Sequence, residues 1–77
     1  MISSAQSRGA RAFLRWSQND LANRSEVGKR TIAAFELGNY IPNSRTLNDL
    51  KRTFEDHGIT FLETTDDGRG IRYRGDT

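Results

Sequence analysis

The sequence predicts a mainly α-helical domain that ends in a β-hairpin. Apolar residues recur at helical spacing in four segments between residues 4 and 57, and glycine, proline or small polar residues separate these segments. After residue 58 the apolar period changes to the two-residue alternation of strands. A chain of 77 residues has room for a single domain, so we expect 1–77 to be one unit. Residues 4–57 are its helical core, and 58–77 are the hairpin and tail.

The first two helices are predicted from a short apolar stripe and from a capping pattern. The stripe lies between Ser4 and Arg15 and predicts the first helix. Phe13, in this stripe, and Trp16, which follows it, are both expected in the core. Ser17 opens the second helix, because its hydroxyl can cap a helix whose third residue, Asp20, supplies the matching acid. The buried side of this helix is Leu21 and Ala22, and its end falls near Arg24 or Ser25.

The third helix follows after a very short connection. Val27 is apolar, and its side chain is expected to be buried inside the turn. Gly28 is expected to be the N-cap of the third helix, a position that glycine tolerates. Ile32 and Phe35 lie three residues apart on the inward stripe. Gly38 is expected to end the third helix.

A loop over residues 39–43 separates the third helix from the fourth. We expect Ile41 to point inward, and Pro42 prevents the third helix from continuing. Asn43 or Ser44 caps the fourth helix, which Gly58 ends. The apolar face of this helix consists of Leu47, Leu50 and Phe54.

Two strand candidates follow, over residues 59–63 and 71–74. The stretch between them is rich in turn-forming residues. Its Asp66-Asp67-Gly68 run carries only the start of a calcium loop, and a hairpin turn is the favoured interpretation. Because an isolated hairpin is marginally stable in water, it should pack on the helices or pair with another subunit.

Composition excludes several classes of protein. The chain has no cysteine, which removes disulfides and thiolate metal sites. It shows no signal peptide and no apolar run near the ~20 residues of a membrane span, so a cytoplasmic location is expected. The single histidine, His57, lies at a predicted helix end, where a positive imidazole is stabilised without a catalytic role. We therefore expect no enzyme activity, cofactor, metal or small-molecule ligand.

Charge is distributed unevenly along the chain. Residues 1–52 contain nine Lys or Arg against four acids, a net of +5, whereas residues 53–77 contain three Arg against six acids, a net of −3. A basic body with an acidic tail is typical of a protein with one face for polyanions. Ordinary solvated charge is the alternative interpretation.

The sequence resembles the lambda-repressor/Cro-like (Xre-type) helix-turn-helix family of bacterial and phage regulators over residues 8–57. The resemblance is carried by Trp16-Ser17-Gln18-x-x-Leu21-Ala22, Val27, Arg30-Thr31-Ile32-x-x-Phe35-Glu36-x-Gly38 and Pro42…Thr46-Leu47. It implies a compact four-helix DNA-binding domain, with Arg11 and Glu36 as a structural ion pair. Two positions depart from the family pattern. Glu26 replaces the usual turn glycine, at a cost of about 1 kcal/mol, and Gly28 replaces the usual Ser or Thr cap.

The resemblance also implies which residues contact DNA. Major-groove contacts are assigned to Lys29, Arg30, Thr31 and Ala34, because cationic donors match guanine and methyl groups match thymine. For Lys29 and Arg30 the contact is either to a base edge or to an adjacent phosphate. Phosphate contacts are assigned to Ser17, Gln18, Asn39, Asn43, Ser44 and Arg45. The structural alternatives are plain helix caps for Asn43 and Ser44 and a solvated surface for the rest. For Arg69, Arg72 and Arg74 a solvated strand face is favoured over DNA contact.

Two hypotheses of function follow. The first is a sequence-specific transcriptional regulator, a repressor on family grounds, that binds double-stranded DNA with an inverted repeat. It would act at the nucleoid, as a homodimer joined through the hairpin. The second is a protein-interaction module, antiactivator-like or antitoxin-like, that keeps the helix-turn-helix as scaffold. Glu26 and the acidic tail favour this alternative.

Overall fold

The computed structural model describes residues 1–63 and 69–73, which form four helices followed by a two-stranded antiparallel sheet. The helices are α1 (Ser4–Leu14), α2 (Gln18–Ser25), α3 (Lys29–Glu36) and α4 (Ser44–Asp56). The strands are β1 (Ile59–Glu63) and β2 (Arg69–Tyr73), with Phe61 opposite Ile71 in the register. The predicted fold class is confirmed.

Side-chain caps determine where the helices begin. The predicted capping box at α2 is confirmed, because the Ser17 hydroxyl oxygen accepts from the Asp20 N–H at 2.9 Å and the Asp20 carboxylate accepts from the Ser17 N–H at 2.9 Å. Asn43 is the N-cap of α4 and accepts from the Thr46 N–H at 2.9 Å. A second capping box, formed by Ser3 and Gln6 at α1, was not expected from the sequence.

Four residues with positive φ lie where helices end. Gly38 and Gly58 have φ of 85° and 98°, values that glycine adopts without a Cβ clash at the end of a helix. Arg15 and Glu26 have φ of 59° and 63° in the left-handed region, which L-residues adopt at a cost. The expected strain at Glu26 is therefore present, and Arg15 carries a second strained backbone at the end of α1.

The core lies between the helices and one face of the sheet. Its buried apolar residues are Ile2, Ala10, Leu21, Val27, Ile32, Phe35, Leu47, Leu50, Phe54 and Ile59. Phe61 and Ile71 pack against this cluster. Gly9 of α1 leaves the space that this packing needs, since a Cβ there would lie 3.3 Å from Ile71 Cδ1.

Two apolar residues predicted to be inside are exposed. Phe13 is 53% exposed, because α1 buries the stripe through Gln6, Ser7 and Ala10 and Phe13 lies beside that stripe. Ile41 is 80% exposed, and its neighbour Pro42 is buried instead. A loop has no hydrophobic period, so its sequence gave no basis for choosing between these two neighbours.

The sheet differs from its prediction in one boundary. β2 begins at Arg69, two residues before the predicted start. The predicted turn at Asp66-Asp67-Gly68, together with Arg74 and the rest of the C-terminal tail, lies outside the described residues.

Candidate nucleic-acid interface

Buried apolar contacts hold α2 and α3 together as a pair of helices. Leu21 on α2 and Ile32 on α3 are fully buried, and Val27 in the turn is nearly so. Ser25 fixes the turn from within, because its hydroxyl donates to the Leu21 carbonyl at 2.7 Å and accepts from the Val27 N–H at 3.2 Å. Apolar packing and the Ser25 hydrogen bonds therefore both contribute to the orientation of α3 relative to α2.

The first turn of α3 presents unpaired cations to solvent. Its N-cap, Gly28, has no side chain to accept from the first N–H groups. Lys29 and Arg30 follow at once, both exposed, and neither has an ion-pair partner within the described part of the chain. Cations at a helix N-terminus oppose the helix macrodipole, so Lys29 and Arg30 do not stabilise the start of α3.

The other residues assigned to the major groove lie on the same helix. Thr31 and Ala34 are partly exposed, one helical turn apart on α3. Ile32, between them, is buried. α3 therefore has an outward side of polar and small residues and an inward apolar side that packs against the core.

The residues assigned to phosphate contacts fall into two places. Ser17 and Gln18 begin α2, whereas the other four lie in the loop after α3 and the first turn of α4; these are Asn39, Asn43, Ser44 and Arg45. All are exposed except Gln18, which is half-buried. The side-chain oxygens of Ser17 and Asn43 accept cap hydrogen bonds, so only their donor groups remain for a phosphate.

A buried carboxylate connects α1, α2 and α3 behind this surface. Glu36 is buried at the end of α3 and accepts from Arg11, Ser7 and Gln18. The distances are 2.7 Å from Arg11 Nη2, 2.6 Å from Ser7 Oγ and 3.1 Å from Gln18 Nε2. The ion pair between Arg11 and Glu36 implied by the resemblance is present.

Two members of this cluster were not predicted. Ser7 lies four residues before Arg11 on α1, so the same helix face carries both groups, a spacing that could have indicated the contact. Gln18 was assigned to phosphate alone, yet one of its amide N–H groups donates to Glu36. Because a carboxylate repels the amide oxygen, this contact fixes which end of the Gln18 amide points inward.

The electrostatics of Glu36 follow from these contacts. Burial raises the pKa of the Glu36 carboxyl, but the hydrogen bonds from Arg11, Ser7 and Gln18, with the Arg11 charge, outweigh burial and lower the pKa below its ordinary value. Glu36 is therefore ionised at neutral pH. Its charge is compensated inside the protein by the Arg11 guanidinium.

Trp16 is placed by aromatic and cationic neighbours rather than exposed for stacking on bases. Its ring stacks on Phe54 with centroids 5.9 Å apart and meets the edge of His57 at 4.7 Å. The Arg24 guanidinium lies 4.8 Å from the ring centroid. His57 ends α4, and its Nδ1 lies 2.8 Å from the Thr53 carbonyl oxygen. These contacts give Trp16 and His57 structural roles.

Within 1–63 and 69–73, no group of three or more histidine, cysteine or acidic side chains is placed to hold a metal ion. None of the helices in that part of the chain is long and apolar enough to cross a membrane.

Two short helices, joined by a tight turn and mounted on a small helical core, define a helix-turn-helix domain. A family model described as a helix-turn-helix domain matches residues 8–62. The chain belongs to this family, in its Xre/Cro-like type, and the resemblance to lambda-repressor/Cro-like regulators is confirmed. No curated protein matches the chain. Family membership indicates a DNA-binding regulator of transcription, a class that is typically non-enzymatic.

Proposed function

We propose that this protein is a sequence-specific transcriptional repressor that binds an inverted-repeat operator as a dimer. The observation that carries the proposal is the pair of exposed, unpaired cations, Lys29 and Arg30, at the N-terminus of α3. Behind them α3 is held by buried apolar residues and by the Glu36 cluster. A rigid helix with cations at its exposed start is suited to the major groove.

Each residue type on this surface has a matching group on DNA. Lys29 and Arg30 donate to guanine O6 and N7, and the methyl groups of Thr31 and Ala34 meet thymine methyls. The remaining contacts are to phosphates and determine register rather than sequence. They are made by Ser17, Gln18, Asn39, Asn43, Ser44 and Arg45.

Dimeric binding matches the symmetry of an inverted-repeat operator. Two copies related by a two-fold axis place both α3 helices on one side of the duplex, with half-sites about 34–36 Å apart. A dimer bound in this way represses transcription by occupying the promoter. Repression would then increase with the concentration of the protein.

The test is a DNA titration that compares two double variants of equal charge. The probe is a duplex selected from random-sequence DNA with the wild-type protein. Lys29→Ala/Arg30→Ala should weaken binding by about 100-fold, since each lost base contact costs about 1–3 kcal/mol. Lys51→Ala/Arg52→Ala removes one Lys and one Arg from the later turns of α4. This control should weaken binding by less than about threefold.

Salt dependence separates specific binding from general attraction. For the wild type, log K should fall linearly with log salt, and each lost phosphate contact should reduce the slope by about one. Equal effects of the two double variants, or equal affinity for unrelated duplexes, would overturn the proposal.

The second candidate function, a protein-interaction module, is favoured by the exposed acid Glu26 beside α3. It predicts no measurable DNA binding by the wild type.

A further inference from the structure

Leu37 follows the last residue of α3 and is 75% exposed, although it is a large apolar residue. Single exposed leucines are common on protein surfaces, so this exposure alone indicates nothing. Its place on the helix is informative, because Leu37 keeps helical backbone angles, with φ of −78° and ψ of −12°. It comes seven residues after Arg30, which is nearly two turns of about 3.6 residues each. Leu37 and Arg30 therefore lie on the same outward line of α3.

Backbone hydrogen bonds fix the end of α3 at Leu37. The Leu37 N–H donates to the Ala33 carbonyl at 3.1 Å, which continues the helical pattern. Gly38 then adopts a φ of 85°, and the N–H groups of Gly38 and Asn39 donate to carbonyls of the last helical turn at 2.9 and 3.2 Å. This pair of bonds is a Schellman motif, which ends a helix in a defined geometry. Leu37 is therefore presented by an ordered helix end.

The outward line of α3 changes from cationic to apolar along its length. Arg30 lies near its start and Leu37 at its end, and the partly exposed Ala33 and Ala34 flank the line between them. An alanine side chain extends only one carbon from the backbone, so the helix can approach another surface closely here. Along the described length of α3 the only acid is Glu36, and it is buried. A polyanion that lies along this line therefore meets no exposed carboxylate of α3.

We propose that Leu37 is a specificity-determining residue that contacts the methyl group of a thymine in the major groove. The inference rests on the proposed function, in which Arg30 contacts DNA from the same line of α3. Among the groups on the major-groove edges of the base pairs, the C5 methyl of thymine is the apolar one. A leucine side chain gains by covering this methyl group, because both then lose contact with water. Any other base would place donors or acceptors against Leu37, where they find no hydrogen-bond partner.

Helix geometry also predicts where this thymine lies. Seven residues of α-helix span about 10.5 Å, at about 1.5 Å per residue. Successive base pairs are about 3.4 Å apart along the duplex, so the thymine lies within about three base pairs of the one that Arg30 contacts. Thr31 and Ala34 are closer than Leu37 to Arg30 along α3. The thymine of Leu37 is therefore a separate position of the half-site.

The test removes the thymine methyl group and the leucine side chain separately and together. The probe is the duplex selected from random-sequence DNA with the wild-type protein. Each thymine of one half-site is replaced in turn by deoxyuridine, which lacks only the C5 methyl group. One replacement, within about three base pairs of the position at which Arg30→Ala relaxes specificity, should weaken wild-type binding about fourfold, the value of one buried CH₂ group.

Variants of Leu37 show whether that methyl group is covered by this side chain. Leu37→Ala should bind the thymine and deoxyuridine duplexes equally. Leu37→Met keeps an apolar side chain of similar size and should show the same fourfold difference as the wild type. Because Leu37 is exposed, Leu37→Ala should also keep the wild-type midpoint of urea unfolding. A loss of discrimination in this variant is then not a loss of fold.

Ile41→Ala is the matched control. Ile41 is also an exposed aliphatic residue, but it lines a groove with the N-terminal residues instead of lying on the outward line of α3. This variant should keep the fourfold difference between the thymine and deoxyuridine duplexes. Loss of the difference in both Leu37→Ala and Ile41→Ala would overturn the specific role of Leu37.

The remaining outcomes separate this inference from the proposed function. A wild type that is insensitive to every deoxyuridine replacement, or a fourfold difference that persists in Leu37→Ala, would overturn the role of Leu37. Either result would leave sequence-specific binding through Lys29 and Arg30 in place. A wild type with equal affinity for all duplexes would overturn the proposed function, and this inference with it.

Discussion

Glu36 shows how one buried charge organises the residues around it. An unpaired buried carboxylate is costly, so the structure surrounds it with donors from α1 and α2. Arg11 also donates to the Trp16 carbonyl at 3.0 Å, just before the α2 cap. The cluster therefore ties the end of α3 to the start of α2. Under the proposed function its effect on DNA binding is indirect, through the positions of Gln18 and of α3.

The lowered pKa of Glu36 predicts a pH dependence of stability. The carboxyl has a lower pKa in the folded protein than in the unfolded chain, so the unfolded chain binds the proton first. This stabilisation is complete above the unfolded pKa of about 4.3 and is lost as pH falls through the lower folded pKa. Urea unfolding between pH 7 and pH 2.5 should therefore show a free energy of unfolding that declines below about pH 4.3.

Two variants test whether the decline in the free energy of unfolding comes from Glu36. Arg11→Met/Glu36→Met replaces the buried pair by apolar side chains, a change that is often close to neutral at pH 7. Its free energy of unfolding should decline less steeply with acid than that of the wild type. Glu55→Gln, at an exposed carboxyl on α4, should keep the wild-type slope. Superimposable pH curves for the wild type and the double variant would contradict the assignment.

The turn between α2 and α3 illustrates a conflict between elements. The helix crossing requires a left-handed residue after α2, and the sequence supplies Glu26 with φ of 63°. Glycine adopts this conformation without the Cβ clash. Packing of Val27 and the Ser25 hydrogen bonds hold the turn despite the strain.

Replacing Glu26 by glycine should stabilise the protein. We expect a gain of about 0.5–1 kcal/mol in the free energy of unfolding, because relief of the left-handed strain exceeds the greater entropy of glycine in the unfolded chain. Urea or thermal unfolding measures the gain. Glu26→Ala removes the same charge but keeps the Cβ and should show no such gain. Equal stabilisation by both variants would assign the effect to charge and refute the strain argument.

Elements with a regular period or a specific cap were predictable from the sequence. The stripe on α3 and the caps at Ser17 and Asn43 are local, so they depend on few distant contacts. The predicted burial of Phe13 and Ile41 was wrong. Whether either side chain is buried depends on which residues distant in sequence pack over it, and the local pattern does not contain that information. The partners of Gln18 were missed for the same reason: Glu36 is distant in sequence and reaches Gln18 only in the folded chain.

At the scale of the whole molecule, the sheet completes the core of the helices. Phe54 of α4 contacts Trp16 on one side and Phe61 of β1 on the other, with a ring-centroid distance of 5.8 Å to Phe61. The α1 helix approaches Ile71 of β2 closely at Gly9. A two-stranded sheet is marginal alone, so its stability must come from this packing. We therefore expect the helices and the sheet to unfold as one unit.

Ile59→Ala tests this single-domain prediction. Ile59 is buried in the shared core, so its truncation should lower the free energy of unfolding by about 2–5 kcal/mol. The matched control is Ile41→Ala, at an exposed isoleucine, which should change stability by less than about 0.5 kcal/mol. Trp16 fluorescence reports the helical core, and far-UV circular dichroism reports the backbone. Their transitions should coincide in the wild type and move together in Ile59→Ala, because loss of one sheet residue weakens the whole unit. Separate transitions, or an unchanged fluorescence transition in Ile59→Ala, would mean that the helices form a stable unit without the sheet.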